Sequence, residues 1–163
     1  MKIENMYYSR LIKTDMCNGD GIRVTLFVSG CTLNCPGCFN KESQNFRYGK
    51  EYTQETEDII IELLKRENCS GLSICGGDPL EKKNQNEVLN LIKRVRKEFG
   101  DRKTIWVWSG RTYQEAISDI VNKEIIDNID VLIDGRFIEE LKDKNLLWRG
   151  SSNQKIIRLK ELS

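Results

Sequence analysis

Apolar residues in this chain fall into two kinds of segment, one with helical spacing and one of short continuous runs. Near Thr53 to Glu67 and near Asn86 to Phe99, apolar side chains recur every three to four residues, which predicts two amphipathic helices. The apolar positions are Ile59, Ile60, Leu63 and Leu64 in the first helix, and Val88, Leu91, Ile92, Val95 and Phe99 in the second. Gly100 is a typical stop for the second helix.

The short apolar runs predict strands that alternate with the helices. These strands are expected at about Arg23 to Ser29, Leu72 to Cys75, Thr104 to Trp108, Val131 to Ile133 and, in the tail, Lys155 to Leu159, with a further helix at about Tyr113 to Val121. Such alternation is typical of β-α-β units and of a mostly parallel sheet. A full eight-fold barrel needs about 250 residues, and the chain has 163. We therefore expect an α/β fold in a single domain, residues 1–163, built as a partial, open β/α barrel or an open sheet.

Four loops follow directly on predicted strands. They are the cysteine-containing loop after Ser29, Gly76-Gly77-Asp78-Pro79, Ser109-Gly110 and Asp134-Gly135. Ligands collect at the carboxyl ends of parallel strands, and these ends share one edge of the sheet. The sequence therefore predicts a single site built from four loops.

One of these loops contains three cysteines, Cys31, Cys35 and Cys38, in a stretch of eight residues. An iron–sulfur cube bound by three thiolates keeps one iron open for another ligand, because such a cluster usually has four protein ligands. Zinc is an alternative, although the chain has no histidine and a zinc site would need a fourth ligand from another cysteine or an acidic residue. A disulfide framework is the least favoured interpretation, because six cysteines are sparse and the polar start is not typical of a signal peptide.

The composition narrows the classes of function. The net charge of +1 provides no overall field for nucleic acid or an anionic membrane, and no apolar run approaches the ~20 residues that span a bilayer. The cysteine usage favours a reducing compartment, and hence the cytoplasm. Without histidine, Ser–His and Cys–His nucleophiles are excluded, so we expect a cofactor to carry any chemistry.

The loop Gly76-Gly77-Asp78-Pro79 permits two interpretations. Glycines allow close approach of a ligand to the backbone, and the Asp78 carboxylate is suited to an ammonium group. The same residues are also good turn formers. Together with the cysteine triplet, the loop favours a ligand site.

The combination resembles the radical S-adenosylmethionine superfamily, and within it the activating proteins of anaerobic (class III) ribonucleoside-triphosphate reductases. The resemblance extends over nearly the whole chain and includes Asn18-Gly19-Asp20-Gly21, Leu26-Phe27-Val28-Ser29-Gly30-Cys31, Cys35-Pro36-Gly37-Cys38-Phe39-Asn40-Lys41, Gly76-Gly77-Asp78-Pro79-Leu80, Ile105-Trp106-Val107-Trp108-Ser109-Gly110, Val131-Leu132-Ile133-Asp134-Gly135-Arg136-Phe137 and Leu147-Trp148-Arg149-Gly150-Ser151-Ser152-Asn153-Gln154. It implies a fold of the radical-S-adenosylmethionine type.

The resemblance implies a role for each matching residue. Cys31, Cys35 and Cys38 would ligate three irons of a [4Fe–4S] cluster, and S-adenosylmethionine would chelate the fourth. The residues expected to bind this cosubstrate are Gly37, Cys38 and Phe39 on the adenosine side, and Gly76, Gly77 and Asp78 at the methionine amino group.

The implied reaction is the activation of a partner enzyme. One electron from the cluster would cleave S-adenosylmethionine to a 5′-deoxyadenosyl radical, which would take hydrogen from a glycine of the large anaerobic reductase subunit and leave a glycyl radical. An external one-electron donor such as flavodoxin would reduce the cluster. No nucleic acid or membrane partner is implied.

Several residues keep open roles. The family usually has proline at the position of Asp20, in the turn before the first predicted strand, and tyrosine at the position of Arg111. We expect Arg111 on the partner-facing rim. Cys69 and Cys75 are expected to be core thiols. Two polar residues, Arg149 and Asn153, are equally suited to contacting S-adenosylmethionine, contacting the partner or stabilising the fold. The role of Cys17, which precedes the first predicted strand, is also open.

Two other functions compete with this interpretation. One is activation of a different glycyl radical enzyme, although such activases tend to be longer and some carry additional clusters. The other is a non-catalytic iron–sulfur or zinc protein for electron transfer or scaffolding, which would have no use for the Gly76-Gly77-Asp78 loop and would not bind S-adenosylmethionine.

Overall fold

One seven-stranded sheet organises residues 5–38 and 41–162, which are the residues that the computed structural model describes. The strands are β1 (Tyr7–Asp15), β2 (Arg23–Val28), β3 (Lys50–Glu51), β4 (Gly71–Gly76), β5 (Thr104–Trp108), β6 (Val131–Asp134) and β7 (Lys155–Arg158). The helices are α1 (Gln54–Leu64), α2 (Gln85–Phe99), α3 (Tyr113–Ile117) and α4 (Ile120–Asp127), with short 3-10 turns at Glu42–Gln44, Gly100–Arg102, Glu139–Leu141 and Leu159–Leu162. The spatial order of the strands is β3-β1-β2-β4-β5-β6-β7.

The sheet is parallel at its centre and antiparallel at both edges. β2, β4, β5 and β6 pair in parallel, whereas β1 pairs antiparallel with β2 and β3, and β7 pairs antiparallel with β6. The α/β class is therefore confirmed, but the expectation of a mostly parallel sheet is right only for the central strands. The edge strands return directly beside their neighbours without a crossover helix, which is the connection that antiparallel pairing allows. The sheet is open, because β3 and β7 end it without pairing with each other.

Most predicted elements occur near their expected positions, with two corrections. In α1, Ile59 is expected on the buried face but is 42% exposed, and Ile61 is buried instead. The helix predicted from Tyr113 to Val121 is two helices, because the Asp119 side chain accepts hydrogen bonds from the first backbone N–H groups of α4 and begins a new helix there. Within the described residues, no helix is long and apolar enough to cross a membrane.

The core lies mainly on one face of the sheet, where α1, α2 and α4 pack against the central strands. The opposite face carries a smaller aromatic cluster. Trp106 is buried there, stacks on Trp108 at 5.8 Å between ring centroids, and meets Trp148 edge-on at 4.8 Å. Trp108 and Trp148 line the cavity of the site described below, and Trp106 packs behind them.

A fully buried arginine joins the amino ends of the central strands. Arg23 donates to the hydroxyls of Ser73 (2.7 Å) and Thr104 (2.9 Å), and to the carbonyl oxygens of Asp20, Leu72 and Thr104. Burial lowers the pKa of Arg23 to about 10, so the guanidinium stays charged at neutral pH. The sequence pattern did not predict this arginine as a core residue.

Candidate functional site

The four predicted loops meet at the carboxyl ends of β2, β4, β5 and β6 around a cavity of about 380 Å³. A fifth segment, residues 137–154, closes one side of this cavity. The volume lies in the range of small-molecule sites, about 300–1,000 Å³. Its lining is formed by Asn18, Phe27, Cys31, Leu33, Cys35, Cys38, Cys75, Gly76, Gly77, Trp108, Ser109, Gly110, Ile133, Gly135, Phe137, Trp148, Arg149, Gly150 and Gln154.

The three cysteines of the triplet all line this cavity as free, partly exposed thiols. A turn brings them to one side, in which Cys38 N–H donates to the Cys35 carbonyl at 3.1 Å. Asn34, just before this turn, has a φ of +49°, a left-handed conformation that asparagine tolerates better than most residues. The loop therefore turns back on itself, and all three cysteines line one space.

The base of the cysteine loop is held by hydrogen bonds to other segments. Cys31 N–H donates to the Gln44 carbonyl at 3.2 Å. The Glu81 carboxylate accepts from both the N–H and the hydroxyl of Thr32, at 2.7 and 2.8 Å. Glu81 is buried, so it is an interior anchor for the loop. Sequence reasoning missed this residue, since an acidic side chain shortly after Pro79 reads as an ordinary helix-start residue.

Burial also affects the thiol chemistry of the loop. It raises the pKa of Cys31 to about 11, and the nearby carboxylates of Asp78 and Glu81 act in the same direction. Binding of iron requires the thiolate, so assembly of a cluster must release this proton. Cys75, at the end of β4, also lines the cavity but is only 7% exposed, and burial strongly raises its pKa.

Three cysteines that line one cavity are the donor set that an iron–sulfur cluster needs. Among the described side chains, no group of three or more His, Cys, Asp or Glu residues is placed to hold one metal ion. Thiolates on separate irons of a cube stand further apart than thiolates on one zinc at about 2.3 Å. Three cysteines around one shared cavity fit the larger group.

The Gly76-Gly77 loop forms the wall beside the cysteines. Gly77 N–H donates to the Val28 carbonyl and Asp78 N–H to the Gly30 carbonyl, both at 2.8 Å. A Cβ atom on Gly77 would lie 2.5 Å from the Gly30 carbonyl oxygen, so only glycine allows the loop to sit this close to the cysteine loop. Both glycines line the cavity, as a ligand-binding backbone would require.

Asp78 lies behind this wall and is not part of the lining. It is fully buried, and its carboxylate accepts hydrogen bonds from Ser109 Oγ (2.9 and 3.0 Å), Gly110 N–H (3.1 Å), Leu80 N–H (2.9 Å) and Arg111 Nη1 (3.0 Å). Burial raises the pKa of Asp78, and the Arg111 guanidinium opposes that rise. In this structure the carboxylate is satisfied by protein donors, so its contact with a ligand ammonium is not prepared in advance.

Arg111, expected on the partner-facing rim, is partly buried, and its guanidinium points inward to two buried carboxylates. Its guanidinium bridges Asp78 at 3.0 Å and Glu81 at 3.3 Å. Because Glu81 also holds Thr32, Arg111 connects the loops that follow β2, β4 and β5. Side chains on three separate loops form this network, which is why a linear sequence pattern did not reveal it.

Gly37 and Phe39 are two other residues expected to bind the cosubstrate. Gly37 lies outside the described lining of the cavity, next to the Glu139 carboxylate, where a Cβ atom would lie 2.8 Å from one carboxylate oxygen. Phe39 lies outside the described residues. Cys69 is buried, as expected for a core thiol, and Cys17 is exposed.

Comparison with known proteins gives a family and a set of close relatives. The family model described as a 4Fe-4S single cluster domain matches residues 17–157. A protein of Pasteurella multocida, named anaerobic ribonucleoside-triphosphate reductase-activating protein, is 45% identical over 155 residues, which are 94% of this chain and 98% of the relative. Proteins of the same name from Escherichia coli K12 and from Enterobacteria phage T4 are 43% and 39% identical, over 95% and 93% of this chain and 100% and 93% of their own lengths.

Proposed function

Because this chain belongs to the family of anaerobic ribonucleoside-triphosphate reductase-activating proteins, we propose that it activates such a reductase by generating a glycyl radical on it. The radical would arise through reductive cleavage of S-adenosylmethionine at a [4Fe–4S] cluster. The observation that carries the proposal is the shared cavity: three cysteines and a glycine-lined wall face one space of cofactor size.

The cluster would be held by Cys31, Cys35 and Cys38. When bound, it supplies one electron and an open iron for the amino and carboxylate groups of the cosubstrate. The chain supplies the thiolates, and the turn between Cys35 and Cys38 fixes their spacing. The Glu81 anchor on Thr32 keeps the loop against the sheet.

The cosubstrate would lie between the cysteine loop and the ends of β4 and β5. Backbone groups of Gly76 and Gly77 would face its methionine part, while Gly37, Cys38 and Phe39 would serve the adenosine side. Asp78 would act on the methionine end through position, since its carboxylate fixes Ser109 and Gly110 in the lining. The apolar wall of Trp108, Trp148 and Phe137 would help to exclude water from a reactive carbon radical.

The proposal also includes the type of barrel, the extent of the domain and the partners of the protein. The four parallel strands, with their loops on one edge, support a partial β/α barrel of the radical-S-adenosylmethionine type. One continuous sheet with one main core supports a single activase domain over residues 1–163. The large reductase subunit would be the protein substrate, a flavodoxin-like donor would reduce the cluster in the cytoplasm, and neither nucleic acid nor a membrane would take part.

The first test is anaerobic and measures the cofactor chemistry. The protein is reconstituted with iron and sulfide, reduced with dithionite and given S-adenosylmethionine, and 5′-deoxyadenosine is quantified. Cys35→Ala should abolish both the cluster absorbance and the nucleoside, while Cys17→Ala, a matched change at an exposed cysteine outside the cavity, should preserve both.

The second test adds the anaerobic reductase and measures the glycyl radical by electron paramagnetic resonance. A radical doublet that requires the activase, S-adenosylmethionine and reductant together is the expected result. A reduced cluster that neither responds spectroscopically to S-adenosylmethionine nor cleaves it would contradict the proposal and favour an electron-transfer protein.

A further inference from the structure

Arg149 is a cationic side chain without an adequate partner in the wall of the cavity. It is the one Asp, Glu, Lys or Arg side chain among the described residues that line this space. Its Nε–H group is buried and has no acceptor among the described residues, and its Nη1 atom donates only a long 3.4 Å hydrogen bond to the Leu147 carbonyl. A buried donor without an acceptor costs stability, so such an atom is expected to serve a ligand.

The backbone on both sides of Arg149 is fixed. Trp148 has a φ of +59°, which is rare and costly for a large side chain. Its carbonyl accepts a 2.7 Å hydrogen bond from Trp108 Nε1, and its ring packs edge-on against Trp106. The strained residue is therefore pinned by two aromatic neighbours, and the chain direction at Arg149 is set by it.

The following residues are fastened to the end of β6. Gln154 Oε1 accepts hydrogen bonds from the N–H groups of Gly150 (2.9 Å) and Ser151 (3.1 Å), and Gln154 Nε2 donates to the Gly135 carbonyl at 2.9 Å. Arg149 thus extends from a short segment that is held on both sides. Because the backbone is already in place, less entropy is lost when the guanidinium binds an anion.

The chemistry of the cavity decides which anion fits. A guanidinium pairs best with a carboxylate or a phosphate, in a bidentate manner. The cosubstrate of the proposed function carries one anionic group, its α-carboxylate, and a cavity of about 380 Å³ suits a molecule of that class.

We propose that Arg149 is a binding residue for the α-carboxylate of S-adenosylmethionine in the cavity that it shares with the Gly76-Gly77 loop. The inference rests on the proposed function, since it names how this chain would recognise that cosubstrate. It also accounts for a strained tryptophan and a buried, unpartnered Nε–H group in the same wall, neither of which the cysteine chemistry requires.

The test is a thermodynamic cycle between the arginine and the carboxylate. Binding of S-adenosylmethionine and of decarboxylated S-adenosylmethionine to the anaerobically reconstituted protein is measured by calorimetry, for the wild type and for Arg149→Gln. A charged hydrogen bond corresponds to about a tenfold to hundredfold change in affinity. Arg149→Gln should weaken S-adenosylmethionine by that factor and should leave the decarboxylated compound nearly unchanged.

Controls separate this inference from folding and from the proposed function. Arg102→Gln, a matched change at an exposed arginine beside the carboxyl end of α2, should bind both compounds like the wild type. Arg149→Lys should recover part of the lost affinity, and it replaces the glutamine variant in the cycle if that variant fails to take up iron.

Three outcomes would overturn the inference. Equal weakening of both compounds would show that Arg149 does not face the carboxylate. Unchanged affinities with a shifted reduction potential of the cluster would instead make Arg149 an electrostatic neighbour of the iron. A wild-type protein that binds neither compound would reject the proposed function itself, which no Arg149 variant could do.

Discussion

The Arg111 guanidinium donates a 3.0 Å hydrogen bond to the fully buried carboxylate of Asp78. The arginine follows β5 and the aspartate follows β4, so their contact joins the ends of two neighbouring strands. Arg111 also reaches Glu81, whose carboxylate holds Thr32 in the cysteine loop. One guanidinium therefore neutralises two interior carboxylates and fixes three of the loops around the cavity.

Removal of Arg111 should destabilise the protein strongly. Arg111→Gln leaves Asp78 buried without a counter-charge, which costs about 3 kcal/mol in the free energy of unfolding. Urea unfolding under anaerobic conditions measures this loss. Arg102→Gln, at an exposed arginine, should change the same quantity by no more than about 0.5 kcal/mol.

A double variant tests whether the loss comes from the carboxylate. With Asp78→Asn in the background, Arg111→Gln should cost clearly less, because no buried charge remains to be compensated. Additive effects of the two changes would show that Arg111 stabilises the fold through packing and not through Asp78.

Removal of the Glu81 anchor should make a bound cluster easier to extract. Glu81→Ala leaves the Thr32 N–H without its acceptor, at a local cost of about 1–3 kcal/mol, so the cysteine loop should open more often. The rate of iron transfer to a chelator from the reconstituted protein should rise several-fold. Glu81→Gln keeps an oxygen acceptor for Thr32 and should release iron more slowly than the alanine variant; equal rates in all three proteins would show that this anchor is dispensable.

A methyl group at Gly77 should disturb cosubstrate binding. Its Cβ would lie 2.5 Å from the Gly30 carbonyl oxygen, so the loop must move away from the cysteines. We expect Gly77→Ala to weaken binding of S-adenosylmethionine by at least tenfold in calorimetry. Gly100→Ala introduces its methyl group into open space at the end of α2, with a backbone penalty of about 1–3 kcal/mol. It should leave the affinity unchanged, and comparable weakening in both variants would point to general destabilisation.

The start of α4 should give a pH-dependent contribution to stability. The Lys82 ammonium and the backbone N–H groups of α4 lower the pKa of Asp119 to about 2. Because the folded value is below the unfolded value of about 3.9, the stabilisation is complete above about pH 5 and is lost progressively as the pH falls toward 2. Asp119→Ala should lower the free energy of unfolding by about 1 kcal/mol at pH 7.

The comparison of two pH values checks this assignment. The difference between wild type and Asp119→Ala in urea unfolding should shrink between pH 5 and pH 3. A difference that stays constant over this range would mean that the charge of Asp119 does not contribute.

Local patterns predicted the centre of the fold and the approximate location of the site. Strands with apolar runs, such as β4 and β5, are buried on both faces, and their loops necessarily emerge at the same edge. The three cysteines lie in a single loop, so their position around one cavity could be predicted from their spacing in the sequence. The assignments of individual residues to iron and cosubstrate stay predictions.

The features that the sequence did not predict depend on distant contacts. β1 is only partly buried and its pattern is mixed, so it was missed, although it pairs with β2 along most of its length. The burial of Arg23 and the inward direction of Arg111 depend on distant acceptors, among them Thr104, 81 positions from Arg23, and Asp78, 33 positions from Arg111. Charged residues normally indicate surface, and no periodic pattern marks the exceptions.

The open edges of the sheet affect how isolated measurements should be interpreted. β3 has two residues and β7 has four, and no further strand closes the ring between them within residues 5–38 and 41–162. An enclosed reaction chamber would confine a radical to its intended target, whereas a chamber with a missing side allows buffer components to intercept it. 5′-Deoxyadenosine therefore forms both when the radical reacts with its target glycine and when it reacts with buffer. Only the ratio of glycyl radical to nucleoside, measured with the reductase present, reports how much of the radical reaches the glycine.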